Sequence, residues 1–165
     1  MEGKKTKPFA LLVFGAPCSG KTTFAEKFAN KFNIALYNFY EVKETFGFDR
    51  KNILSALELV ARTKQNIVIE GGVDTEAERD EIRKAFNKLG YRVAVIWIQT
   101  DINTIRSRMK SKYKSISKAK NTYDALVNEL EAPAPIERPI ILSGKHTFET
   151  QTKHVIAGLA DASRR

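Results

Sequence analysis

Phe9-Ala10-Leu11-Leu12-Val13-Phe14-Gly15-Ala16-Pro17-Cys18-Ser19-Gly20-Lys21-Thr22-Thr23 is the stretch that decides how this chain folds. Its first six residues are apolar without alternation, the pattern of a strand covered on both faces. Gly15 to Thr22 then fit G-x-x-x-x-G-K-[ST], and Phe24, Phe28 and Phe32 recur every four residues, as on one side of a helix. Strand, glycine-rich loop and helix together make a phosphate cradle. Gly15 and Gly20 permit backbone conformations closed to other residues, so successive N–H groups turn inward on an anion. The helix N-terminus adds its positive dipole end. Lys21 is placed for the β- and γ-phosphates, and the Thr22 hydroxyl for Mg²⁺. Gly15, Ala16, Pro17, Cys18, Ser19, Gly20, Lys21, Thr22 and Thr23 are therefore the candidate nucleotide-binding residues. Cys18 is read as a small loop filler, although a thiol near a helix N-terminus is a candidate for alkylation.

Outward from this loop, short apolar runs alternate with amphipathic stretches, which argues for βαβ units and a mainly parallel sheet. Five runs read as buried strands: Phe9–Phe14, Ile34–Tyr37, Ile67–Glu70, Val93–Ile98 and Pro139–Leu142. Ile53, Leu57 and Val60 predict a helix after Asp49 as N-cap. Ile82, Ala85, Phe86 and Leu89 predict another, opened by the capping box Thr75-x-x-Glu78 and stopped by Gly90. Ile156, Leu159 and Ala160 mark a C-terminal helix. Residues 132–139, with three prolines, read as a rigid connection into the last strand.

Composition bounds the rest. The chain has 165 residues, the size of one domain, with 28 Lys+Arg against 19 Asp+Glu and a net charge of +9. That excess points to an anionic partner. The lone Cys18 excludes an internal disulfide and a cysteine-based zinc site, and two histidines are too few for a His-rich metal site. No apolar run approaches the ~18 residues of a membrane span. No secretory signal is read at the start, so a cytoplasmic protein without membrane contact is the expectation.

The size, the position of the loop and the order of the parts resemble small phosphate-loop kinases. The nearest group contains polynucleotide 5′-hydroxyl kinases, zeta-toxin-like kinases and chloramphenicol-phosphotransferase-like proteins. The resemblance extends from about Phe9 to Leu159. It implies an α/β three-layer P-loop NTPase fold: one domain over residues 1–165, a five-stranded parallel sheet flanked by helices, and a helical lid at about residues 102–135. It also implies ATP and Mg²⁺ as cofactors and γ-phosphoryl transfer to a hydroxyl or phosphate acceptor. Glu70, at the end of Ile67-Val68-Ile69-Glu70 and followed by Gly71-Gly72, stands where such kinases usually show Asp; it is the candidate for Mg²⁺, through water, or for orienting the acceptor. Asp101 … Arg108 … Lys112 is similar to the family's D-x-x-x-x-x-x-R-x-x-x-R run, with Lys in place of the second Arg. Arg108 is thereby expected over the transferring phosphoryl, with Arg106 and Lys110 as neighbours. Ile140–Phe148 resembles the strand and loop that cradle adenine, which makes Lys145 a candidate cofactor contact and His146 a stacking or structural residue.

The resemblance breaks at Phe39-Tyr40-Glu41-Val42-Lys43-Glu44. The family places there an Asp that activates the acceptor, and this chain has Tyr40. A phenol with a pKa of ~10 is a poor general base at neutral pH. Glu41 or Glu70 is the candidate substitute. Two further readings stay open: a nucleotide-binding protein with weak or no transfer, and a polynucleotide 5′-hydroxyl kinase. Arg106, Lys110, Lys114 and Lys118, four apart, would share one face of a helix, and Lys114, Lys118 and Lys120 hint at a nucleic-acid partner. No N-K-x-D follows to read guanine. The acceptor and the oligomeric state are not legible.

Overall fold

The computed structural model describes residues 7–112 and 116–163. Five strands, β1 (Phe9–Gly15), β2 (Ala35–Asn38), β3 (Ile67–Glu70), β4 (Arg92–Gln99) and β5 (Ile140–Ser143), form one sheet in the order β2-β3-β1-β4-β5. All four neighbouring pairs are parallel, as continuous apolar runs require. The strands fall where the sequence placed them, shifted by a residue at some ends: Ile34 and Pro139 lie outside, and Asn38 and Ser143 inside.

Alternation within β1 divides the core. Ala10, Leu12 and Phe14 face one layer, with Ile53, Leu57 and Ala61 of α3 (Arg50–Ala61) and Ile82 and Phe86 of α4 (Glu76–Lys88). Leu11 and Val13 face the other, with Phe24, Ala25, Phe28 and Ala29 of α1 (Lys21–Phe32) and Val155 of α7 (Phe148–Ser163). Burial of each such large apolar side chain contributes about 1.5–3 kcal/mol. The local signals hold: Asp49 caps α3 through Asn52 N–H, and Thr75 and Glu78 close the expected capping box on α4. Several apolar positions expected in the core differ: Phe32, Val60, Ile156 and Ala160 on helices and Ala35 and Ile141 in strands are exposed, and Ala61 and Val155 are buried. A helix shows only one stripe to a sheet, and the apolar spacing alone does not say which edge of the stripe stops short.

One helix lies where no element is read from the sequence, and the region at about residues 102–135, expected as helical, holds two. Phe39–Phe46 forms α2, capped by Asn38, whose side-chain oxygen accepts from the N–H groups of Tyr40 and Glu41. After β4 come α5 (Ile102–Lys112) and α6 (Ile116–Asn128). Arg106 and Lys110 lie on α5; Lys114 and the side chains of Lys118 and Lys120 lie outside the described residues, as does any continuity between the two helices. The proline-rich connection holds a short 3₁₀ turn, Pro135–Glu137. No described helix is long and apolar enough to cross a membrane.

Candidate active site

The carboxyl ends of β1, β3 and β4 meet at the centre of the sheet, where open parallel sheets place their ligands. Gly20 caps α1 with φ 103°, and Cys18 also adopts a left-handed backbone, φ 59°. Ser19 N–H donates to Ala16 C=O at 3.1 Å, closing the loop that the sequence predicts. A cavity of about 920 Å³ opens over it. Gly15, Pro17, Cys18, Gly20, Lys21, Thr22 and Thr23 line that cavity; Ala16 faces a second hollow on the other side, and Ser19 is fully buried. Cys18 packs beside Ile105 and Met109, as a loop filler does.

Glu70 ends β3 and is 2% exposed. Thr22 Oγ1 donates to its Oε1 at 2.5 Å, and Asn38 Nδ2 to its Oε2 at 3.2 Å. Burial pushes the Glu70 carboxyl above the usual carboxylate range, with the Thr22 hydroxyl and the charge of Lys21 working in the opposite direction. A buried carboxylate beside a P-loop hydroxyl suits a divalent cation, which would relieve that desolvation penalty. Thr22 and Glu70 are the residues that would hold Mg²⁺ together with nucleotide phosphates. One or two protein oxygens are the ordinary complement for this ion. Among the described residues no three His, Cys, Asp or Glu side chains converge as a metal cage. Asn38, absent from the sequence candidates, thus has two tasks: its oxygen caps α2 and its amide steadies Glu70. An Asn at a strand end before an amphipathic stretch was the available signal.

Arg108 lines the cavity beside the phosphate loop and is bonded to the backbone there. Asp101 caps α5 by accepting from Thr104, and Arg108 follows two turns later. Its Nη1 donates to the carbonyls of Cys18 and Ser19, both at 3.1 Å, and its Nη2 to Gly144 C=O at 2.8 Å. The guanidinium therefore braces the phosphate loop against the loop after β5 while still lining the cavity. The planar guanidinium fork, with five donors, suits several carbonyls at once. Thr100 Oγ1 adds a bond to Ser19 C=O at 2.9 Å.

Lys145 pairs with Asp101 at 2.9 Å on the rim of the second hollow, and this pair, followed by the Thr104 bonds, holds the Asp101 carboxyl below the usual range. His146 lines the main cavity and meets His154 edge-on, with ring centroids 6.2 Å apart. Gly144 has no room for a side chain, because a Cβ there would strike Thr100 Oγ1 and the Ser19 carbonyl. Gly144→Ala is accordingly expected to push the two loops apart and weaken ATP binding by about tenfold or more, an effect of roughly 1–3 kcal/mol from overpacking. Titration calorimetry of the purified variant with ATP checks this.

The cavity's carboxylates come from other elements than its cations: besides Glu70, it is lined by Glu41 and Glu44, with Tyr40, from α2 and by Asp74 from the loop after β3. The cations lining the cavity, Lys21, Lys27, Arg108 and Lys112, come from α1 and α5. Arg50 and Arg79, which do not line the cavity, are engaged elsewhere. Arg50 binds Glu78, Glu81 and the Gly72 carbonyl, and Arg79 binds Glu137 and the carbonyls of Val73 and Asp74.

Sheet order, phosphate loop and flanking helices define a P-loop kinase-like fold. Solved structures carry the same architecture. A gluconokinase from Sinorhizobium meliloti superposes with a TM-score of 0.73 at 17% identity, over 97% of this chain and 96% of that one. Kti12 from Chaetomium thermophilum, in complex with ADP-AlF3, gives 0.64 at 19% identity, over 93% and 98% of the two chains. The Mycobacterium tuberculosis APS kinase CysC, in complex with AMPPNP and APS, gives 0.61 at 13% identity, again over 93% and 98%. At these identities the likeness is one of fold. No family model matches the sequence, and no curated protein matches it either.

Proposed function

We propose that this protein is an ATP-dependent kinase that transfers the γ-phosphoryl group to a hydroxyl of a small molecule. The observation that carries this is the meeting of Lys21, Thr22 and Glu70 in one cavity of about 920 Å³ that further residues of α2 and of the loop after β3 also line. Lys21 neutralises charge on the transferring phosphoryl, Thr22 and Glu70 hold Mg²⁺, and Arg108 fixes the loop that cradles the phosphates. The loop after β5, with Lys145 on its rim, receives the base. The helices α5 and α6 form the lid.

Among the described lining residues, Lys21, Lys27, Arg108 and Lys112 come from α1 and α5, whereas α2 and the loop after β3 bring Glu41, Glu44 and Asp74 to the cavity and no cation. A phosphate or carboxylate acceptor would meet repulsion there, so a neutral or positively charged hydroxyl compound is favoured over a phosphorylated one. For the same reason the basic excess of the chain is assigned to ATP and the lid rather than to a nucleic-acid end.

An ATP-consumption screen over nucleosides, sugars, amino alcohols, antibiotics and 5′-hydroxyl oligonucleotides, with Lys21→Ala as the blank, tests the proposal. Turnover with one of these acceptors, lost in the blank, is the expected result; tight ATP binding without transfer to any hydroxyl would instead mark a binding protein. Glu70→Gln tests the metal assignment separately. It is expected to leave metal-free ATP binding within about twofold and to remove most of the gain in affinity that Mg²⁺ confers, about tenfold or more, as loss of a charged ligand does. Fluorescent-ATP titrations with and without Mg²⁺ read this directly. In the unaltered chain the Mg²⁺-dependent gain falls as pH drops through the raised Glu70 pKa, because a protonated carboxyl does not ligate.

A further inference from the structure

The carboxylates around the cavity differ in what engages them. Glu70 is bonded to Thr22 and Asn38. Glu41 and Glu44 stand on the exposed side of α2, with no side-chain hydrogen bond or ion pair among the described residues. Asp74 alone is held on one oxygen and open on the other. Its Oδ2 accepts the Tyr40 phenol at 2.5 Å, and no described residue donates to its Oδ1.

The backbone of Asp74 is pinned on both sides. Its N–H donates to Glu78 Oε2 at 3.0 Å, and its C=O accepts from Glu131 N–H at 2.9 Å and from Arg79 Nη1 at 3.0 Å. Tyr40 is seated equally closely. Its ring covers Gly71, where a Cβ would come within 2.7 Å of two ring carbons. Burial, then the bond to Asp74, pushes the phenol well above its ordinary pKa, so Tyr40 stays a proton donor throughout the physiological range. Asp74 is also close enough to Glu70 for its charge to raise the Glu70 pKa.

Resting on the kinase function proposed above, we infer that Asp74 is the catalytic residue that receives the acceptor hydroxyl, and that Tyr40 is its positioning residue. Position 40 is where the resembling kinases carry their acceptor-activating Asp. Here the carboxylate comes instead from the loop after β3, and the phenol bridges the distance between the two elements. The acceptor O–H donates to Asp74 Oδ1. As the acceptor oxygen bonds to the γ-phosphorus, the bond from that phosphorus to the β,γ-bridging oxygen breaks and ADP departs. The hydroxyl proton passes to Asp74, which then releases it to water. With a phenol fixed on Oδ2, the lone pairs of Oδ1 keep one direction, which supplies the orientation that phosphoryl transfer chiefly needs.

The test uses the full chain with ATP and a panel of glycerol, glucose, adenosine, ethanolamine and kanamycin, following phosphorylated product by mass spectrometry. Asp74→Asn keeps the shape and a partner for Tyr40. It is expected to lower kcat about 100-fold or more, in the range of a lost general base, with the KM and Kd for ATP within about twofold of the unaltered chain. Tyr40→Phe is expected to lower kcat about 5- to 20-fold with the same unchanged KM for ATP. Melting temperatures of both variants within a few degrees of the unaltered chain establish that they fold. If Asp74→Asn keeps more than a tenth of the kcat, or loses ATP affinity in step with it, the assignment of Asp74 is overturned while the kinase function stands. If the unaltered chain phosphorylates no member of the panel, the kinase proposal fails and the role of Asp74 falls with it.

Discussion

Replacing Lys21 by alanine is expected to lower phosphoryl transfer about 1,000-fold or more, the loss of roughly 4 kcal/mol of transition-state stabilisation. Lys21 opens α1 directly after the left-handed Gly20, so its side chain leaves the loop on the cavity side. It forms no ion pair among the described residues, and its charge lowers the pKa of Glu70. An ammonium lining the cavity at the loop's end is placed to meet the equatorial oxygens of a γ-phosphate held by the loop. The carboxylates of α2 and of the loop after β3 sharpen the dependence, because without Lys21 the phosphates would enter a cavity with more negative than positive lining. ATP binding is expected to fall much less than kcat, since backbone N–H groups and the helix terminus still hold the phosphates. Single-turnover transfer compared with equilibrium ATP binding separates the two effects. Transfer within tenfold of the unaltered chain would place the chemistry elsewhere.

Glu137→Ala is expected to destabilise the fold by about 3–5 kcal/mol, the cost of stranding a buried charge. Arg79 and Glu137 have side chains 1% and 2% exposed and meet at 2.8 Å and 3.1 Å in a two-point pair. The guanidinium also stacks over the Phe14 ring, 4.5 Å from its centroid, and holds the carbonyls of Val73 and Asp74. Removing Glu137 leaves Arg79 in an apolar layer without its counter-charge. For a chain of this length the melting temperature should fall by roughly 6–20 °C, at about 2–4 °C per kcal/mol. Calorimetry checks it, and Glu137→Gln should cost clearly less because one hydrogen bond survives. Burial would raise the Glu137 carboxyl, but the bonds from Arg79 and from Ala134 N–H outweigh it and hold the carboxyl below the usual range. The folded pKa being depressed, this contribution is present above the ordinary glutamate pKa and is lost as pH falls through the folded value. The difference in stability between the unaltered chain and Glu137→Gln should therefore shrink in acid.

The parts legible in the sequence share one property: their signal lies within a few residues. The eight positions from Gly15 to Thr22 contain the whole phosphate loop, because its chemistry is made by successive backbone groups. Thr75 and Glu78 satisfy each other's backbone donors one turn apart, so the start of α4 can be read without knowing anything else. The strands announce themselves because a sheet covered on both faces leaves no polar position in their interiors. Tyr40 was visible as a break in a resemblance, but its partner was not. Asp74 lies 34 residues away and reads in the sequence as an ordinary turn residue before a helix.

What the sequence by itself determined is the nucleotide side: the loop, the strand before it, the helix after it, and Glu70 at the end of a neighbouring apolar run. Periodicity and local hydrogen bonding set these, and both act over a turn or a strand length. Only the tertiary structure decided the pairing of Tyr40 with Asp74 and the bracing of the loops. Arg108 reaches the carbonyl of Cys18, 90 positions earlier, and Arg79 reaches Glu137, 58 positions later. Each of these side chains carries a charge that the sequence alone leaves free to face water. Its partner is fixed by which strands lie side by side, and that order, β2-β3-β1-β4-β5, is set by packing of the whole sheet rather than by any single stretch of chain.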